Sequence, residues 1–121
     1  MKEFNSAPLL QECIEGIMDA KGLNIVTLDL DEIDNAVCDH FIICEGTSNT
    51  HVSAIADAVE KRVKDVMDDK PWHVEGKDQS EWVLMDYVAV VVHIFQRETR
   101  TFYDLENLWG DANVERIDVG Y

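Results

Sequence analysis

Apolar residues recur along this chain at two spacings, one typical of helices and one typical of strands. Near the start of the chain they lie three and four positions apart, which is the spacing of one helix face. Ser6 and Pro8 suit the start of that helix, and Gly22 suits its end. The sequence therefore predicts a first helix whose apolar face consists of Leu10, Cys13, Ile14, Ile17 and Met18.

The next segments predict two strands and a longer helix. Residues 25–28 (IVTL) form a short apolar run, and residues 40–44 (HFIIC) form a second run that is apolar on both faces. A strand of the second kind is expected between helices. Thr47, Ser48 and Asn49 then offer N-caps for a helix with an apolar face of about five turns. That face consists of Val52, Ile55, Ala56, Val59, Val63, Val66 and Met67.

Residues 81–96 (EWVLMDYVAVVVHIFQ) form a long apolar run without glycine or proline. The run is too short for a membrane-spanning helix, and it carries Asp86 and His93. Its many β-branched residues disfavour a helix, and a single strand of this length would be unusual. We therefore predict two strands, residues 82–85 and 89–95, that meet near Asp86.

The bend between these two strands consists of Asp86-Tyr87-Val88-Ala89. Aspartate suits the first position of a turn because its carboxylate accepts a nearby backbone N–H. The bend contains no glycine, so a tight turn with a positive φ would be strained. A wider turn or a type I turn is therefore predicted.

The remaining segments complete a prediction of the fold class. Lys70-Pro71 ends the second helix, and residues 72–75 predict a short edge strand. Residues 110–121 are mostly polar and predict a mobile tail. The order of elements predicts a single α/β domain over residues 1–121, with its core at about 9–109 and a mixed sheet of about five strands flanked by helices. A short closing helix, expected to cover the core, contains Tyr103, Leu105, Leu108 and Trp109.

The charge of the chain narrows the classes of partner. Its 121 residues carry a formal net charge of −15 at pH 7, and Lys and Arg form no cluster. Nucleic-acid binding depends on such clusters, so no direct specific nucleic-acid binding is expected. The field of an acidic chain attracts cationic partners such as a basic protein, although the same charge also serves solubility.

The cysteines and the start of the chain predict a cytoplasmic protein. Cys13, Cys38 and Cys44 are odd in number and lack C-x-x-C spacing, which is typical of reduced thiols in the cytosol. The first residues include acids and no uninterrupted apolar run, so neither a secretory signal nor an organelle transit peptide is predicted. We expect no membrane segment.

The residues that could carry chemistry do not form a recognisable site. His40, His51, His73 and His93 lack the spacing of a metal-binding motif. His93 lies in a strand that is apolar on both faces, which indicates a core histidine with a structural hydrogen bond. Cys44 precedes a helix start and could be activated there, but a buried, inert thiol is the favoured interpretation. We predict no metal site and no cofactor.

An enzymatic function has one supporting feature, the turn at residues 46–48 (GTS) that opens a helix. Such a turn can cradle an anion or a nucleotide. Nucleotidyl transferases combine it with a pair of carboxylates that hold Mg²⁺ on a later strand. In this chain the later strands offer Asp86 singly, and the acidic segment 29–31 (DLD) precedes the turn. We therefore predict no catalytic residue.

Several longer motifs occur in a fixed order along the chain. They are DHFIICEGTS at 39–48 with His51, IAD at 55–57, EG at 75–76, WVLMD at 82–86, VVVHIF at 90–95 and RTFYDLENLW at 100–109. In this order and spacing the chain resembles the ribosomal silencing factor family, which is also called Iojap-related. The resemblance covers about residues 9–109.

The resemblance implies a mixed α/β fold related to nucleotidyl transferases but without their catalytic residues. It also implies an activity: such factors bind ribosomal protein fourteen of the large ribosomal subunit, block joining of the small subunit sterically, and repress translation when nutrients are scarce. They are often homodimers when free. The acidity of this chain suits a basic protein partner on an RNA-rich surface that repels the chain.

By position in the family motifs, the partner-binding surface is expected to include Trp82, Asp86 and Tyr87, with Ser80 and Glu81 beside them. Trp and Tyr are good anchors because they bury a large area at little entropic cost. For Trp82, which begins a predicted strand, packing in the core is an equal alternative.

This chain departs from the family pattern at the bend. The family usually has Asp, an apolar residue, Gly and Asp, whereas this chain ends the bend with Val88 and Ala89. Contacts that relatives make from the Gly and Asp of this turn therefore do not carry over to Val88 and Ala89. Three functions stay open: a steric translation repressor, an enzyme related to nucleotidyl transferases, and a ribosome-assembly module that the sequence does not separate from the repressor.

Overall fold

The computed structural model describes residues 7–30, 33, 38–108, 110 and 112–121. The helices are α1 (Ala7–Asp19), α2 (Asn49–Met67), α3 (Arg97–Tyr103) and α4 (Leu105–Leu108). The strands are β1 (Leu23–Asp29), β2 (His40–Gly46), β3 (His73–Glu75), β4 (Trp82–Asp86), β5 (Val90–Gln96) and β6 (Asn113–Arg116).

Within the described residues, six strands form one mixed sheet in the order β3-β4-β5-β2-β1-β6. β2 and β5 are parallel, and every other neighbouring pair is antiparallel. A single α/β domain with a mixed, helix-flanked sheet confirms the predicted fold class. The predicted hairpin is confirmed as β4 and β5, and the predicted edge strand is β3.

The sheet has one strand more than the predicted number of about five, because β6 lies in the segment 110–121, for which the sequence predicts a mobile tail. β6 pairs with β1, and all four of its residues are exposed, so no apolar pattern marks it in the sequence. Beyond β6, the N–H of Ile117 donates to the carbonyl of Ile25 at 2.9 Å, and the Tyr121 hydroxyl donates to the carbonyl of Gly22 at 2.6 Å. The end of the chain thus extends the sheet and packs against its edge.

Helices α1 and α2 lie on one side of the sheet, which we call the covered face. The two helices approach closely at Gly16, where an added Cβ would lie 2.7 Å from the Cα of Val59. Most of the predicted apolar helix faces are buried in one cluster here, whereas Leu10, Met18 and Met67 are partly buried and the predicted Val66 is exposed. The sheet residues buried with them are Ile25, Ile42, Cys44, Val83, Met85, Val90, Val92 and Ile94.

The opposite side of the sheet, which we call the open face, is covered in part. Leu30 and Leu105 pack there over the strands, whereas Trp82 and Leu84 of β4 stay partly exposed. The strand residues buried on this face are Val26, Leu28, Phe41, Ile43, Val91 and Phe95.

The closing segment contains two helices where the sequence predicts one. Asp104 adopts a left-handed conformation with φ 49° and separates α3 from α4. Leu105 is buried as predicted, but Leu108 is exposed, contrary to the prediction that it covers the core. Trp109 lies outside the described residues. In the described ranges, no helix has both the length and the apolar character needed to cross a membrane.

Candidate protein-binding surface

β4 places its side chains alternately on the two faces of the sheet. Val83 and Met85 pack into the covered face. Trp82 and Leu84 pack against the open face, and Asp86 is the next residue of that alternation. Trp82 and Leu84 are only partly buried, so β4 presents apolar side chains to solvent beside the carboxylate of Asp86.

Trp82 belongs to an aromatic cluster that continues from the sheet onto α3. Its ring is stacked on Phe95, with centroids 4.9 Å apart, and lies 4.7 Å from the ring of Tyr103. Phe102 packs edge to face on Tyr103 and is 81% exposed, while Tyr103 is 49% exposed. Trp82, Leu84, Phe102 and Tyr103 form an apolar patch that we call the Trp82 surface.

An ion-pair network fixes α3 and therefore the position of Tyr103. The buried carboxylate of Glu45 accepts from Arg100 at 3.1 Å and from the exposed Arg97 at 2.8 Å. Arg100 also donates to Glu106 at 2.9 Å and to a backbone carbonyl at the start of β1 at 2.7 Å. The helix that carries part of the Trp82 surface is thus held by charged groups.

His93 is buried behind the Trp82 surface and is hydrogen-bonded to it. Nε1 of Trp82 donates to Nδ1 of His93 at 3.1 Å, and His93 is 4% exposed. Burial lowers the pKa of His93 to about 4, so the imidazole is neutral at pH 7. The prediction of a core histidine with a structural hydrogen bond is confirmed. Its Nε2 has no hydrogen-bond partner among the residues that the structure describes.

The bend between β4 and β5 adopts a positive φ, and the prediction of a wider or type I turn is wrong. Val88 has φ 75°, and the N–H of Ala89 donates to the carbonyl of Tyr87 at 2.9 Å, which closes a γ-turn. The Asp86 carboxylate accepts the N–H of Val88 at 2.7 Å. The N–H of His40 donates to the carbonyl of Ala89 at 3.1 Å. These bonds hold Val88 in a conformation that favours glycine.

The five residues predicted to bind a partner fall into two groups. Trp82 and Asp86 are partly exposed and Glu81 is exposed. Tyr87 is 6% exposed and packs into the covered face, where burial raises the pKa of its hydroxyl. Ser80 is also buried, and its Oγ donates to a backbone carbonyl three residues earlier at 2.8 Å. The structure therefore separates Tyr87 and Ser80 from the three residues that reach solvent.

Sequence reasoning missed the α3 part of the Trp82 surface and a second exposed tryptophan. The predicted closing helix did not include Phe102, and helical spacing does not mark this residue as exposed, because it lies three residues before Leu105. Trp72 is 81% exposed, and its backbone N–H donates to the carbonyl of Asp86 at 2.7 Å. Asp86 ends β4 whereas Trp82 begins it, so Trp72 lies at the other end of that strand from Trp82.

The groups considered for chemistry are engaged in the fold. Ser48 is the N-cap of α2, where its Oγ accepts the N–H of His51 at 3.1 Å, and the N–H of Thr47 donates to Nδ1 of His51 at 2.9 Å. Cys44 is buried as predicted, and burial raises its pKa to about 12. In the part of the chain that the structure describes, no three His, Cys, Asp or Glu side chains are grouped so that they could hold a metal ion.

Comparisons with known proteins point to one family. A family model described as "Ribosomal silencing factor during starvation" matches residues 3–120. The chain is 38% identical over 120 residues to "Ribosomal silencing factor RsfS" of Bacillus subtilis (strain 168), which covers 97% of this chain and 98% of that protein. A crystal structure of a Chromobacterium violaceum protein matches with a TM-score of 0.82 and 34% identity, covering 88% of each chain.

A more distant relative carries a different name. The chain is 37% identical over 73 residues to "Mitochondrial assembly of ribosomal large subunit protein 1" of Mus musculus, which covers 59% of this chain and 32% of that protein. The family match, by contrast, includes β4, the bend and α3, which together carry the Trp82 surface. This chain belongs to the ribosomal silencing factor family.

Proposed function

We propose that this chain represses translation by binding the large ribosomal subunit through ribosomal protein fourteen and so blocking the joining of the small subunit. The observation that carries the proposal is the Trp82 surface, where aromatic side chains stay exposed on one face of the sheet. Exposed apolar patches with polar neighbours commonly mark protein interfaces. Membership of the silencing factor family supports a role on the ribosome.

The composition of the surface suits a basic protein partner. Trp82 and Tyr103 are anchors of the kind that dominate interface energies, and Trp82 is already held against Phe95, so little ordering is needed on binding. The net charge of −15 steers the chain toward a basic protein and away from RNA phosphates. The proposal includes no direct specific contact with nucleic acid.

The two groups of predicted residues take different roles in this proposal. Trp82, Glu81 and Asp86 contact the partner, since all three reach solvent. Tyr87 and Ser80 support that surface from inside the domain. The carbonyl of Ser80, for example, accepts from a side-chain amide at the end of β5 at 3.3 Å.

The proposed activity is steric and requires no catalytic residue, metal or cofactor. We propose that it takes place in the cytoplasm, where free subunits meet, and that the unbound chain is a homodimer. Sedimentation equilibrium tests the dimer, and a mass of 13.8 kDa at all concentrations would contradict it. Calorimetric titration with nucleotide and Mg²⁺ tests the absence of nucleotide chemistry, for which a flat titration is expected.

A subunit-joining assay tests the repression. Mature large subunits are incubated with the chain, small subunits are added, and joined ribosomes are measured by sedimentation. We expect the native chain to reduce joining and Trp82→Ala to bind roughly 30-fold more weakly, as for an interface hot spot. Trp72→Ala, which removes an exposed indole outside the Trp82 surface, is the matched control and should act like the native chain.

Two results of this assay would overturn different parts of the proposal. Undiminished joining at saturating native chain would remove the repressor function. Equal loss of activity in Trp82→Ala and Trp72→Ala would leave repression intact but remove the Trp82 surface as its site.

A second function, in assembly of the large subunit, is favoured by the name of the Mus musculus relative. An assembly factor acts on immature particles, whereas a silencing factor acts on mature subunits. Reduced joining of mature subunits therefore supports the repressor. Normal joining, combined with accumulation of immature large subunits in cells that lack the chain, supports the assembly factor.

A further inference from the structure

Trp82 and His93 lie on neighbouring strands of the open face and are joined by one hydrogen bond. The Nε1–H of Trp82 donates to Nδ1 of His93 at 3.1 Å, and the ring centroids are 5.9 Å apart. An indole nitrogen can only donate, so Nδ1 must accept and the proton of the neutral imidazole must lie on Nε2. The bond defines both the tautomer of His93 and the direction of the indole N–H.

The two rings differ in how strongly the rest of the fold restrains them. His93 is buried, with Phe41 edge to face at 4.6 Å and Phe95 at 6.2 Å. Trp82 is partly exposed and stacks on Phe95. Stacking restrains the plane of the indole. A flip of the ring to its other face leaves it in nearly the same plane, so stacking alone does not distinguish the two orientations. The hydrogen bond to His93 therefore selects one of the two orientations.

The same histidine is poorly suited to stabilising the fold. Its Nε2–H is buried and lacks a partner within the described residues, and a buried unpaired donor is destabilising. A leucine at this position would fit the apolar surroundings without that penalty. The property of His93 that leucine cannot supply is an acceptor for Trp82.

We infer that His93 is a positioning residue for partner binding, because it holds the indole of Trp82 in the one orientation that the large ribosomal subunit recognises. The inference rests on the proposed function, in which Trp82 contacts the partner. His93 is itself buried and acts through Trp82.

The first test concerns the free protein and does not depend on a partner. In a ¹⁵N-labelled chain at pH 7, an N–H···N hydrogen bond transmits a scalar coupling between its two nitrogen atoms. We expect that coupling between Nε1 of Trp82 and Nδ1 of His93, and its loss in His93→Leu. Trp82→Phe identifies the indole signal by removing it. A native chain without the coupling would overturn the inference.

The second test compares two substitutions of nearly equal shape. Asn places an acceptor oxygen near the position of Nδ1, whereas Leu does not. We expect His93→Leu to co-sediment with mature large subunits about three- to tenfold more weakly than the native chain, as one lost hydrogen bond predicts. His93→Asn should restore most of that affinity even where urea unfolding shows it to be less stable than His93→Leu. Native affinity in His93→Leu would refute the positioning role.

A double-substitution cycle separates positioning from a general effect on the fold. Trp82→Phe keeps a stacked ring but has no N–H to donate, so adding His93→Leu to it should weaken binding no further. Equal weakening by His93→Leu in both backgrounds would show that His93 acts elsewhere and would refute the inference.

The outcomes also separate this inference from the proposed function. If Trp82→Ala loses binding while His93→Leu binds like the native chain, the proposed function stands and the inference fails. If the native chain does not bind mature large subunits, the proposed function fails, and the positioning role fails with it.

Discussion

The two faces of the sheet are stabilised in different ways. On the covered face, α1 and α2 bury a continuous apolar cluster, and their backbones approach closely at Gly16. On the open face, the short helix α3 is anchored by ion pairs of Glu45 with Arg100 and Arg97. Phe102 and Tyr103, at the end of α3, remain exposed. The difference indicates that apolar packing stabilises the covered face and ion pairs stabilise the open face, which is where we propose that recognition takes place.

The largest expected effect comes from removing the anchor of α3. Arg100→Met leaves the buried carboxylate of Glu45 with the exposed Arg97 as its remaining cation, so the free energy of unfolding should fall by about 3–5 kcal/mol. Affinity for the large subunit should fall as well, because Tyr103 loses its support. Urea unfolding and co-sedimentation measure the two effects. Arg97→Met is the control, expected within about 1 kcal/mol of the native chain.

A substitution on the covered face should affect stability alone. Ile17 is fully buried under the sheet, so Ile17→Ala should lower the free energy of unfolding by about 2–4 kcal/mol. The folded fraction should bind the large subunit with native affinity, since Ile17 lies across the sheet from the Trp82 surface. Affinity reduced in proportion to stability would contradict the separation of the two faces.

The pH dependence of the free energy of unfolding reports on the open face, because His93 is buried there in its neutral form. Its pKa is about 4 in the fold and about 6.5 when unfolded, so the unfolded chain binds the extra proton between these values. The titration of His93 therefore leaves the free energy of unfolding unchanged above pH 6.5 and lowers it by about 1.4 kcal/mol per pH unit down to pH 4. The total loss is about 3 kcal/mol.

The carboxylates of this acidic chain also titrate in that range, so the measurement must be a difference. Urea unfolding of the native chain and of His93→Leu from pH 7 to pH 4 gives two curves, and we expect them to diverge below pH 6.5. Parallel curves would show that His93 does not take up the proton on unfolding.

Much of the covered face could be predicted from the sequence because helical spacing reports burial directly. Five residues of the predicted α2 face are buried, from Val52 to Val63. The period of two along β4 was equally informative: it places Tyr87 with Val83 and Met85 on the covered face, opposite Trp82. The family resemblance, which groups Tyr87 with Trp82 as a contact, conveys sequence position but not this alternation.

Two features could not be predicted because they depend on backbone partners distant in the chain. β6 has four exposed residues, and it forms by pairing with β1. The turn at Val88 is also held by the N–H of His40 in β2, which donates to the carbonyl of Ala89, a contact that local sequence rules do not include. Local rules alone favoured a relaxed turn.

The smallest expected effect tests the backbone strain at this turn, which joins β4 to β5. Val88 is an exposed β-branched residue with φ 75°, so Val88→Gly should relieve strain of about 1–3 kcal/mol and add about 1 kcal/mol of unfolded-state entropy. The free energy of unfolding should rise by about 1 kcal/mol, measured by urea unfolding. Val88→Ala, which keeps a Cβ at positive φ, is the control and should gain less than Val88→Gly. A glycine variant less stable than the alanine variant would show that the positive φ does not strain Val88.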